Sequence, residues 1–244
     1  MKLPRHEWSA TGERRALLVH GLNGTGQTWW RVAESLVAAG WRVTTVDLRG
    51  HGAADQGDDL ALSSYAADLP RDTWDLVVGH SLGGATSVLA SVEPGFTRAL
   101  ALLDPVLFVD AAERDEITDD QLAELELTEQ SLATSKPHWH SMDVALKVAG
   151  VQLSSERTAR GSFDDNPTWN VVAQTMALPV PTLILSGDPA VYTMLKPETA
   201  AAIVDANPLV TYEVVPGTGH SPFRDDFDAT MAALYAWLAD IAGE

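Results

Sequence analysis

Cysteine is absent from the 244 residues. Its absence excludes disulfides, thiolate metal sites and a cysteine nucleophile, and leaves the redox compartment open. Basic residues are scarce: 16 Lys and Arg stand against 34 Asp and Glu, a net charge of −18. A nucleic-acid binder needs a basic face to displace counterions from phosphate, and an anionic membrane surface repels such a chain. Neither is an expected partner. No apolar run approaches the ~20 residues that span a bilayer. The stretch MKLPRHEWSA has no apolar signal-peptide core, so a cytoplasmic protein is expected. Internal repeats and low-complexity tracts are missing too. What remains is ordinary globular usage, 45% apolar and 20% charged, at a length that suits one domain carrying an insertion.

Short apolar runs alternate with longer amphipathic stretches. ALLVH (16–20), WRVTTVD (41–47), WDLVVGH (74–80), RALALLD (98–104), PTLILSG (181–187) and LVTYEVV (209–215) read as strands. TWWRVAESLVAAG (28–40), LGGATSVLASV (82–92) and the closing 225–241 stretch read as helices. Runs that are apolar on both faces, separated by helices, predict a mostly parallel sheet flanked by helices. One region breaks this rhythm. Residues 105–180 hold no convincing strand, only helical stretches at 119–133 and 141–150 and a polar interruption at 155–167. A connection that long usually serves a function. The expected organisation is a core of 1–104 and 171–244, with 105–170 as a helical cap over the C-terminal edge of the sheet.

The chemistry-bearing stretch is VVGHSLGGA, residues 77–85. Ser81 stands among Gly79, Gly83 and Gly84, between a strand and a helix. A serine on so sharp a turn needs small neighbours, and the helix N-terminus behind it aims backbone N–H groups at an oxyanion. This is the Gly-x-Ser-x-Gly nucleophile elbow; the blander reading is a glycine-rich turn that merely packs. A serine nucleophile requires a base and an orienting acid. Of seven histidines, His220 in VVPGTGH follows a strand and precedes the last helix. Asp188 in PTLILSGDP follows another strand and lies between Ser81 and His220 in chain order.

With these segments in place the sequence resembles the α/β-hydrolase superfamily over nearly its whole length. LLVHGLNG is similar to the family's His-Gly oxyanion loop, VDLRGHG to its Asp-x-Arg-Gly-His-Gly turn, and GHSLGG, SGDP and GTGH to its three catalytic segments. The resemblance implies that Leu22 and Leu82 supply the oxyanion-binding N–H groups. It also implies a cap inserted after the sixth core strand. Because few residues precede ALLVH, the family's N-terminal antiparallel hairpin is expected to be shortened. Some members carry the acid at the end of the preceding strand, which makes Asp104 in ALLDP the alternative to Asp188; otherwise Asp104 is a turn residue beside Pro105.

Other residues have quieter explanations. His20 and His51 read as packing and hydrogen-bonding groups near the site, and His80 is expected on the sheet face opposite Ser81. His138 and His140 lack a third metal ligand, so no metal is expected, and no cofactor is implied. Trp29, Trp139, Met142 and Trp169 are candidate substrate-binding residues, with Leu146 beside them; each can equally be ordinary packing.

The expected activity is hydrolysis of a carboxylic ester or lactone through an acyl-enzyme, on a small, uncharged, fairly apolar substrate, by a monomer or homodimer. The same triad also serves carbon–carbon bond hydrolases, thioesterases and menaquinone-pathway-like lyases, and from another class a ligand receptor with slow turnover. Ser81 excludes the aspartate-nucleophile mechanism of haloalkane dehalogenases and epoxide hydrolases.

Overall fold

The structure is a computed structural model that describes residues 1–243. Among the described residues, seven strands form one sheet: β1 (Arg5–Glu7), β2 (Arg14–Val19), β3 (Trp41–Val46), β4 (Leu76–His80), β5 (Leu100–Leu103), β6 (Thr182–Ser186) and β7 (Val210–Val214). Their spatial order is β1-β3-β2-β4-β5-β6-β7, and only β1 runs antiparallel to its neighbour. The shortened hairpin is thus a single three-residue strand, paired with β3 through Arg5 and Val46.

Period-2 alternation sorts the buried strand residues onto two faces. Leu17, Val19, Val77, Leu100, Leu102 and Ile184 share one cluster; Ala16, Leu18, Leu76, Val78, Leu103 and Leu185 share the other. The first face is covered by α2 (Leu62–Asp68), α3 (Leu82–Ser91), α8 (Val172–Met176) and α9 (Pro197–Ala206), with Tyr65, Val88 and Ile203 in its core. The second is covered by α1 (Trp30–Ala38) and α11 (Phe227–Ala242), which contribute Val32, Leu36, Leu234 and Trp237. A short α10 (Pro222–Asp225) leads into α11.

Between β5 and α8 lie α4 (Arg114–Ala123), α5 (Glu129–Ser135), α6 (Ser141–Gln152) and α7 (Glu156–Asp164). The stretch 155–167, read from sequence as a polar interruption, is largely the helix α7. Ser155 caps it by accepting from the Thr158 N–H. Its buried face is Thr158, Ala159, Ser162 and Phe163, where two hydroxyls interrupt the apolar stripe. The face is held by hydrogen bonds instead: Tyr65 to Ser162 at 3.0 Å, Thr158 to the Gly50 carbonyl at 2.9 Å, and the Leu60 N–H to Asp165 at 2.7 Å. α5 and α6 share only a small apolar cluster of Leu132, Val144 and Val148, with Trp139 against it.

The sheet order reverses between β2 and β4: from β2 the chain moves outward to β3, then returns across β2 to β4. In a parallel sheet the crevice at such a switch point, beyond the C-terminal strand ends, is where ligands bind. The residues that follow these two ends are His20-Gly21-Leu22 and Ser81.

Candidate active site

Ser81 adopts φ 54° and ψ −120° between β4 and α3, a conformation few side-chain-bearing residues accept. The three glycines around it have distinct steric reasons. A Cβ on Gly79 would lie 2.6 Å from the Gly83 carbonyl oxygen, and one on Gly83 only 2.2 Å from that of Val19. One on Gly84 would lie 2.7 Å from the Pro105 side chain. Strand, helix and the turn after β5 therefore close around the serine, which remains at the wall of a cavity of about 570 Å³. Among the described residues, neither the Leu82 nor the Leu22 N–H has a hydrogen-bond partner, and both residues line that cavity. Gly21 makes the approach of the two loops possible, since a Cβ there would sit 2.9 Å from the Ser81 Cβ.

His220 follows β7 after a turn in which Gly217 takes φ 74°. Its Nε2 lies 3.0 Å from Ser81 Oγ and its Nδ1 2.6 Å from Asp104 Oδ2. With an ionised carboxylate as acceptor, Nδ1 carries the proton and Nε2 accepts from the serine hydroxyl. Asp104 is completely buried, on a turn of φ 39° immediately after β5. Its carboxylate also accepts from the Gly187 N–H at 3.1 Å, the Met194 N–H at 3.0 Å and the Thr193 hydroxyl.

The sequence preference for Asp188 as the partner of His220 is therefore corrected. Asp188 is partly exposed, and its carboxylate accepts from the N–H groups of Ala190 and Gly217, each at 2.8 Å. Those bonds, Gly217 first, hold its carboxyl below the usual carboxylate range. Its own N–H donates to the Thr218 carbonyl at 2.8 Å. Asp188 thus braces the turn that carries His220, without touching the imidazole. The residue weighed as the alternative, Asp104, occupies the place at Nδ1.

His80 faces the α1–α11 side, edge-on to Phe223 at 5.2 Å, and from there its Nε2 reaches the His220 carbonyl at 2.8 Å. Burial pushes its pKa well below the ordinary histidine value, so it donates as a neutral ring. His20 Nδ1 donates to the Gly21 carbonyl at 2.7 Å while Nε2 accepts from the Leu48 N–H at 3.0 Å. His51 Nδ1 donates to the Arg49 carbonyl at 2.8 Å. Burial lowers their pKa values to about 4 and about 3 respectively.

Of the candidate substrate-binding residues, Trp29, Trp139 and Trp169 line the cavity. Trp29 stacks on Phe223 at 4.8 Å, Trp139 donates to Asp225 at 2.6 Å, and Trp169 donates to the Val106 carbonyl at 2.7 Å. Met142 does not: it is 46% exposed, in the first turn of α6 and outside the lining. The expectation for Met142 rested on its being apolar, but His140 caps the helix by accepting from the Met142 N–H and the side chain leaves outward. His138 pairs with Asp225 at 2.9 Å. Among the described residues, no cluster of three or more His, Asp or Glu is arranged to hold a metal.

Sequence reasoning missed the charged part of the lining. Lys147 and Glu124 form an ion pair at 2.5 Å on the cap side, and Arg224 contributes a buried guanidinium from α10. No local motif marks them, because Glu124 at the end of α4, Lys147 on α6 and Arg224 on α10 meet only in the folded chain.

The fold agrees with what is found among known proteins. The model of the alpha/beta hydrolase family matches residues 16–233, and the chain belongs to that family. It is similar to the lipase LipV of Mycobacterium tuberculosis, 37% identical over a stretch covering 48% of this chain and 46% of that protein. The chain thus spans less than half the length of that relative. It is also similar to the sn-1-specific diacylglycerol lipase ABHD11 of Mus musculus, 26% identical over 91% of this chain and 80% of that one. Among solved structures, E-2-(acetamidomethylene)succinate hydrolase superposes with a TM-score of 0.83 at 20% identity, covering 97% of this chain and 95% of that one. No helix of the described residues is long and apolar enough to cross a membrane.

Proposed function

We propose that the chain is a serine hydrolase that cleaves a carboxylic ester or lactone through an acyl-enzyme, with Ser81 as nucleophile, His220 as base and Asp104 as orienting acid. The observation that carries this reading is the unbroken hydrogen-bond chain from Ser81 Oγ through both ring nitrogens of His220 to Asp104 Oδ2, at 3.0 and 2.6 Å. Ser81 Oγ attacks the carbonyl carbon as its proton passes to His220 Nε2. The buried Asp104 carboxylate stabilises the imidazolium and fixes its tautomer. The Leu22 and Leu82 N–H groups take the oxyanion, aided by the α3 N-terminus. When the tetrahedral intermediate collapses, the C–O bond breaks and His220 returns the proton to the departing alkoxide. In a lactone that alcohol stays tethered to the acyl group. A water then attacks the acyl carbon by the same route, releasing the acid and free Ser81.

The cap of residues 105–170, with Trp139 and Trp169, closes the cavity over this machinery and sets which acyl group enters. The experiment is turnover of nitrophenyl esters and a small lactone panel by wild type and Ser81→Ala. Repeated turnover by wild type, with a loss of about 10⁴-fold or more in the variant, is expected. A single acylation without turnover would replace this reading with that of a receptor. Labelling of Ser81 by a phosphonate without ester turnover would move it to carbon–carbon bond cleavage.

A further inference from the structure

Arg224 carries a buried charge. It is 7% exposed and lies on α10, four residues beyond His220, in the wall of the same cavity. No carboxylate lies within ion-pair distance of it among the described residues. Its Nη1 donates to Ser221 Oγ at 3.3 Å, and its Nε is fully buried with no acceptor. The guanidinium is held between two aromatic rings, 4.8 Å from the Phe223 centroid and 5.2 Å from that of Trp139. Burial lowers its pKa, while the more distant Asp143, Glu124 and Asp225 raise it.

The other cations of the lining are differently placed. Lys147 is bound to Glu124 at 2.5 Å, and Lys136 lies 3.9 Å from Asp225. A buried guanidinium without a paired carboxylate carries a desolvation cost that an anion in the adjoining cavity offsets. The planar fork of arginine suits a carboxylate in particular.

We infer that Arg224 is a specificity-determining residue that binds a carboxylate of the substrate, so that the preferred ester or lactone carries an anionic carboxylate beside its reacting carbonyl. This departs from the uncharged substrate expected from sequence, and it rests on the hydrolase reading above. The cap's apolar residues suggested an uncharged ligand because the guanidinium reaches the cavity from outside the cap.

The test compares mono-nitrophenyl glutarate with the matched neutral glutaramate ester. Wild type is expected to favour the charged ester by about 10–100-fold in kcat/KM, the range of a hydrogen bond to a charged group. Arg224→Gln brings the ratio near unity, and Arg224→Lys leaves it in between. A wild-type ratio near one, or a ratio unmoved in Arg224→Gln, overturns the inference. Calorimetric titration of wild type with glutarate and with glutaramide needs neither a folded variant nor turnover: saturable binding of glutarate alone supports the inference, and equal or absent binding of both overturns it. Phosphonate labelling of Ser81 in the same samples reports separately on the hydrolase reading.

Discussion

Two aspartates stand in equivalent places, one just past the end of β5 and the other just past the end of β6. Asp104 turns inward at φ 39°, is completely buried, and collects three donors besides His220. Asp188 comes one residue later after its strand, beyond Gly187, and its carboxylate turns back to the surface N–H groups of Ala190 and Gly217. The two ends are joined, since the Gly187 N–H donates to Asp104. The residue before Asp188 thus helps hold the buried carboxylate, while Asp188 holds the histidine turn. A carboxylate at a strand end acquires its role from the direction of the turn that follows, and adjacent strand ends can divide a task between orienting a ring and bracing the loop that carries it.

The sharpest way to break this comparison is to neutralise each carboxylate in turn. Asp104→Asn is expected to lower kcat/KM for a nitrophenyl ester by about 10⁴-fold, through the wrong imidazole tautomer. Asp188→Asn should cost less than about tenfold, because its loss loosens a turn without touching the ring. The reverse order of effects would return the orienting role to Asp188.

Acid unfolding separates the buried interior from the surface turn. His20 and His51 have folded-state pKa values of about 4 and about 3, below the ordinary 6.5. Depressed values mean that the unfolded chain binds protons first as pH falls. Their contributions, on the order of 3 kcal/mol for His20 and 5 kcal/mol for His51, are complete above pH about 6.5 and are lost as pH drops towards 4 and below. Urea unfolding between pH 7 and 4 should show that loss in wild type, and His51→Gln should flatten it. Asp188, also held below its ordinary value, adds a smaller term present above about pH 4 and lost below; Asp188→Asn should leave the pH 7 to 5 slope as it is.

The β5 end should also be the less tolerant of added volume. Gly84→Ala puts a Cβ 2.7 Å from the Pro105 side chain, next to Asp104, and is expected to cost about 1–3 kcal/mol in urea unfolding. A neutral result would mean that the turn after β5 yields more than its packing suggests. The smallest effect is assigned to Thr193→Val, which removes the hydroxyl donated to Asp104 Oδ1 and keeps the shape. About two- to threefold in kcat/KM, roughly 0.5 kcal/mol, is expected from steady-state kinetics, because the Gly187 and Met194 N–H groups still hold the carboxylate.

Most of the sheet was legible because its signals are local. Leu17 to Val19, Val77 to Gly79 and Leu100 to Leu103 are apolar on both faces and bounded by turns, which only a covered parallel sheet satisfies. Ser81 was legible for a related reason: its strained turn requires small residues at fixed offsets, and Gly79, Gly83 and Gly84 record that requirement in the chain. The cap resisted. α7 rests on Thr158, Ser162 and the adjacent Asp165 and Asn166, bonded to residues 50–62 and to Tyr65, with only Ala159 and Phe163 as buried apolar residues, too few to mark a helix in the sequence. Met142 was drawn towards the cavity by its apolarity alone, and the folded helix turns it to solvent.

By itself the sequence determined the alternation of strands and helices, the elbow at Ser81 and the loop bearing His220, because each depends on residues within a few positions of one another. Only the tertiary structure decided which carboxylate meets His220 and which charges face the cavity. Asp104 reaches Nδ1 across 116 positions of chain, and Arg224 joins Trp139 and Lys147 in one wall from separate elements. A buried ionisable group takes its role from what surrounds it, and those surroundings exist only once distant segments have packed.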